Sequence, residues 1–119
     1  MRILRVLCLL LAGGSAFAQS KQFMCLVAST DGPKGNNVTV VTKPETILGQ
    51  PHQVGTSEIG RWGGSTYWVS WDATASTVSI GRKDTDGFEM SASSDGGTVV
   101  VLIAKRPNEP ETRLFCGAK

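Results

Sequence analysis

The side chains in this sequence that could do chemistry are few: one histidine (His52), the cysteines Cys25 and Cys116, and scattered carboxylates including Glu58, Asp72, Asp84, Asp86 and Glu89. A serine nucleophile needs a base that a third group orients, and His52, in Gln50-Pro51-His52-Gln53, reads as an ordinary solvated residue at a loop or strand start with no Gly-x-Ser-x-Gly elbow to serve. A Cys-His pair needs a thiolate, and both cysteines are expected to be consumed in a disulfide. Zinc needs three or four ligands from His, Cys or carboxylate, and the sequence clusters none. Asp84-Thr85-Asp86-Gly87 opens like a calcium loop, but the sixth position is Glu89 where that loop requires glycine, so it reads as a hairpin turn. Paired carboxylates for glycoside hydrolysis are a matter of spatial pairing, open to two of Glu58, Asp72 and Glu89 meeting within about 5 to 10 Å of each other in a cleft. No catalytic residue, metal or cofactor is assigned.

The second chemical resource is aromatic. GRWGGSTYWVSWD, residues 60–72, holds all three tryptophans and the sole tyrosine. Alternation along STYWVSWD puts Tyr67, Val69 and Trp71 on one face, which reads as core, and Trp68 on the other with Thr66, Ser70 and Asp72. Trp62, beside Arg61 in Gly60-Arg61-Trp62-Gly63-Gly64, reads as a loop residue. Arg61, Trp62 and Trp68 are therefore the candidate binding residues, since tryptophan and arginine dominate contact hot spots.

The opening MRILRVLCLLLAGGSAFAQS has Arg2 and Arg5, a short apolar run and a small-residue ending at Ala16-Phe17-Ala18, the order of an export signal cleaved after Ala18. The apolar run is too short for a bilayer that needs roughly 20 residues. Cleavage would take two of the twelve basic residues and Cys8, leaving ten basic against ten acidic residues. A neutral mature chain with dispersed charge has no electrostatic footprint for nucleic acid or an anionic membrane surface, and no mature segment inserts in a membrane. The expected location is periplasmic or extracellular, where Cys25 and Cys116 pair.

These chemical groups must be positioned by strands. Residues 19–119 read as one domain of short Val-, Thr- and aromatic-rich segments punctuated by Gly, Asp, Asn and Pro. Eight strands are expected, at 22–29, 37–43, 52–60, 65–72, 76–83, 87–94, 98–105 and 111–117. TKPETILGQ holds at most one helical turn. Asp95-Gly96-Gly97 gives the strongest hairpin signal, and Pro107 and Pro110 predict a looser connection before the last strand. Phe88, Met90 and Ala92 should face the core. TVVVLIAK, apolar on both faces, reads as the most buried strand or one covered by another layer. The fold class is all-β: an antiparallel barrel or sandwich of about seven to eight strands, whose disulfide links the first and last strands and so ties the two ends of the sheet.

The function this implies is binding. The leading expectation is an exported inhibitor or immunity-type protein whose partner is a cell-envelope enzyme, a toxin or a glycan. Phe23-Met24-Cys25 with the late Cys116 resembles the cysteine frame of the c-type lysozyme inhibitors of Gram-negative bacteria, which are exported β-barrels. The likeness covers that frame alone, because their central serine- and glycine-rich inhibitory motif has no recognisable counterpart. The other readings are a small carboxylate-dependent hydrolase and a structural subunit of an envelope complex.

Overall fold

Nine strands follow one another without an intervening helix in the computed structural model, which describes residues 17–30, 32–95 and 99–119. They are β1 (Ser20–Ala28), β2 (Lys34–Val41), β3 (Lys43–Ile47), β4 (Gln50–Trp62), β5 (Ser65–Asp72), β6 (Thr77–Asp84), β7 (Glu89–Asp95), β8 (Val99–Ala104) and β9 (Thr112–Ala118). Two antiparallel sheets result, one ordered β2-β1-β9-β8 and the other β3-β4-β5-β6-β7. They do not close into a barrel, so the architecture is sandwich-like. The expected leader, residues 1–18, lies outside the described residues except for its last two.

Alternation builds the core. Phe23, Cys25 and Val27 of β1 and Leu114 and Cys116 of β9 face Tyr67, Val69 and Trp71 of β5 and Val78 and Ile80 of β6, all buried between the sheets. Cys25 and Cys116 stand directly opposite each other in the β1–β9 ladder and form the disulfide. It does link the first and last strands. Those strands are the middle pair of their sheet, however, so the bond staples neighbours and does not join two edges. Closing a loop between residues 91 apart removes denatured-state entropy worth roughly 4 to 5 kcal/mol. A buried disulfide also points to a non-reducing, exported environment, and no helix of the described residues is long and apolar enough to cross a membrane.

The first passage between sheets, from β2 to β3, is made at one buried residue, Thr42. Its hydroxyl donates to Gln53 Oε1 (2.9 Å) and accepts from the Gln19 backbone N–H (2.8 Å), fixing the corner between β2 and β3. Beyond it, KPETI is a strand and not a helical turn, because an edge position tolerates Pro44. The Leu48-Gly49 turn that follows, with φ of 50° and 79°, supplies the two positive dihedrals of a tight hairpin. β4 crosses close to β2 at Gly55, where a Cβ would stand 2.3 Å from the Val41 carbonyl oxygen.

Three further expectations are corrected. β8 is an edge strand and not the most buried one: Val100, Leu102 and Ala104 are buried, while Val99, Val101 and Ile103 are 42–59% exposed on the outer face. Met90 and Ala92 pack against the core as read, but Phe88 precedes β7 and is 45% exposed beneath the Arg106 guanidinium. Gly96 and Gly97 lie outside the described residues, and the flanking strands β7 and β8 belong to different sheets, so they form no hairpin.

Candidate functional site

Continuing the alternation of β6 past Val78 and Ile80 puts Arg82 and Asp84 on the same inward face, at the end of the sandwich where the core runs out. There the β4–β5 turn at Gly63-Gly64, the Asp84–Phe88 turn and the proline-bounded β8–β9 loop surround a cleft of about 420 Å³. The two glycines take φ of 60° and 79°, a two-residue turn that brings Trp62 and Ser65 opposite each other on the cleft side.

A connected set of ion pairs forms the polar wall. Arg82, with only 5% of its side chain exposed, donates from Nε and Nη2 to the two carboxylate oxygens of Asp84 (2.7 and 3.0 Å) and from Nη2 to Glu109 (2.9 Å). Arg106 Nη1 donates to Asp84 and to Asp86, both at 2.9 Å. Ser65 Oγ adds a 2.7 Å bond to Asp84. The bidentate guanidinium of Arg82, helped by Ser65 and Arg106, holds the Asp84 carboxyl well below the ordinary carboxylate range against the opposing effect of burial. Asp86 is also lowered, first by the Phe88 N–H and then by Arg106. The guanidinium of Arg82 is raised by the same partnership with Asp84, which outweighs its desolvation.

Neither Asp84 nor Asp86 is thus tuned as a general acid, whose carboxyl must hold a proton near neutral pH. Glu58, Asp72 and Glu89 do not converge. Glu58 and Glu89 stand opposite Trp68 and Lys83 respectively, while Asp72 is at the other end of β5. The cleft's charges balance: Arg82, Arg106 and Lys34 oppose Asp84, Asp86 and Glu109. Recognition here would depend on directed hydrogen bonds and aromatic surface, with little contribution from net field.

Trp62 supplies the aromatic wall. It is half-buried at the end of β4, not in a loop, and its ring lies 5.8 Å from that of Tyr67 at 39°. A bulge between Glu58 and Gly60 reverses the facing of β4, turning Trp62 inward and Arg61 outward. The Trp62 ring also occupies the space beside Gly60, where a Cβ would meet it at 2.4 Å.

The three candidate binding residues do not form one patch. Arg61 is exposed and pairs with Glu58 at 3.1 Å. Trp68 lies on the outer face of the five-stranded sheet, packed over Gly81, where a Cβ would meet its ring at 2.1 Å. A flat field of hydroxyls borders it, with bonds from Thr56 to Ser70 (3.0 Å) and between Ser79 and Ser93 (2.7 Å). Only Trp62 lines the cleft. His52 is near the start of β4 and half-buried where a solvated side chain was expected; its Nδ1 is 2.6 Å from Asp72 Oδ2. The other Asp72 oxygen accepts the Thr74 and Ala75 N–H groups, which makes the pair a clasp on the β5–β6 turn.

Arg82, Asp84, Arg106 and Glu109 were not candidates from the sequence. The alternation of β6 was the available signal for the first two; Arg106 and Glu109 reach the cleft from a loop that carries no such pattern. Among the described residues no three or more His, Cys, Asp or Glu side chains are grouped to hold a metal. No protein-family model, curated protein or solved structure matches this chain.

Proposed function

We propose that the protein acts by binding, as an exported inhibitor or immunity-type protein whose partner is a cell-envelope enzyme or toxin, and that the cleft end is its contact surface. The observation supporting this is the joining of a half-buried tryptophan to an arginine-rich hydrogen-bonding wall, on turns carried by a disulfide-stapled scaffold. Tryptophan and arginine in a partly desolvated pocket make up the usual composition of a binding hot spot. Loops on a rigid framework lose little entropy when they dock. The test is to titrate the oxidised protein against c-type lysozyme and a panel of peptidoglycan hydrolases. Stoichiometric loss of activity is expected for at least one, weakened tenfold or more by Arg106→Ala. No inhibition and no binding across the panel would reject the inhibitor reading.

A second reading is favoured by the surroundings of Trp68. Its ring, laid over Gly81 beside ordered hydroxyls, offers a flat apolar surface with hydrogen-bonding neighbours, which suits a glycan chain lying across the five-stranded sheet. Binding to peptidoglycan fragments lost in Trp68→Ala and kept in Trp62→Ala would select it.

A further inference from the structure

Four strands end the two sheets, and three of them are guarded. β3 carries Lys43, Pro44 and Glu45, β7 carries Glu89 and Asp95, and β2 is engaged by β4 through Asn36 Nδ2 to the Ile59 carbonyl (2.7 Å) and Ser57 Oγ to the Thr39 carbonyl (2.8 Å). Charge, proline and coverage are how native sheets keep an edge from accepting another strand. Among the described residues, β8 has none of these. VVVLIA contains no charge, proline or glycine, its register with β9 runs without a shift, and its other side ends the sheet.

We propose that β8 is a self-association edge, through which two copies pair antiparallel about a twofold axis at Val101. The strand is complementary to itself in that register. Val101 stands opposite the partner's Val101, and Val99 opposite the partner's Ile103, so the three exposed outer side chains of each copy meet side by side as apolar cross-strand pairs. Two four-stranded sheets then become one of eight. The contact uses the same edge on both copies and leaves no second unguarded edge, so association stops at the dimer. One six-residue edge strand per copy is a small contact, at or below the lower end for specific interfaces, so the dimer is a weak and reversible one.

Sedimentation velocity of the oxidised protein from about 1 µM to about 1 mM should show a monomer–dimer equilibrium. Val101→Lys, at an exposed position, should weaken it at least tenfold, and so should Val101→Glu, because the axis sets each new charge against its own copy. Mixing the two variants should restore association, as a heterodimer. Amide exchange in wild-type β8 should slow as concentration rises, an outcome that does not depend on the folding of either variant. A monomer throughout, larger oligomers, a dimer insensitive to Val101→Lys, or exchange in β8 independent of concentration would overturn the proposal.

Discussion

Replacing Asp84 by asparagine tests the polar wall of the cleft most sharply. The change keeps the side chain's shape but removes the charge that two guanidiniums share, leaving Arg82, 5% exposed, with Glu109 alone. Unpairing a buried ion pair costs about 3 to 5 kcal/mol, and the lower figure applies because the amide oxygen still accepts a bond and Glu109 remains. We therefore expect Asp84→Asn to lose about 3 kcal/mol in urea denaturation at pH 7, without a change in slope. The folded-state pKa of Asp84 is depressed, so its contribution is fully present above the unfolded value and falls away with acid. At pH 2.5 the unfolded aspartate, titrating near 3.9, is mostly protonated while the folded one is not. That difference of ~1.4 pH units at 1.36 kcal/mol each removes about 2 kcal/mol from the wild type and nothing from the variant. The gap between the two proteins should accordingly shrink to about 1 kcal/mol. A gap below 1 kcal/mol at pH 7, or one that does not change with pH, would refute the reasoning.

Three further outcomes follow from the geometry. Cys25→Ser with Cys116→Ser should lower stability by about 4 kcal/mol in chemical denaturation, given the length of the loop that the bond closes. Gly55→Ala should destabilise by about 3 kcal/mol, because its methyl would meet the Val41 backbone, whereas Gly35→Ala, with an ordinary contact at 3.4 Å, should change the melting midpoint little. Gly81→Ala should displace the Trp68 ring, read as a red shift in tryptophan fluorescence that is absent in Trp68→Phe carrying the same change.

The parts of the fold legible in the sequence were those governed by alternation. STYWVSWD is β5 to the residue, with Tyr67, Val69 and Trp71 inward, and the disulfide followed from cysteine count and the expected compartment. Alternation also contained more than was first taken from it, since Arg82 and Asp84 continue the inward phase of Val78 and Ile80. Charged side chains are unusual at inward positions, but a mutually paired Arg and Asp can be buried together. The inward turn of Trp62 was not legible, because the bulge that reverses the phase of β4 has no signature in sequence. β3 was hidden by Pro44 and its charges, which are permitted at an edge. The same edge logic explains β8: a strand apolar on both faces reads as buried, and only the structure shows that it ends its sheet with Val99, Val101 and Ile103 exposed.

The central claim, that this scaffold works through its cleft end, is tested most directly by a hydrogen-exchange footprint of the oxidised protein, alone and mixed with each member of the hydrolase panel that it is found to bind. Protection concentrated at residues 62–67, 82–88 and 105–110 is the predicted result. Protection confined to the outer face of either sheet, with those segments unchanged, would contradict it.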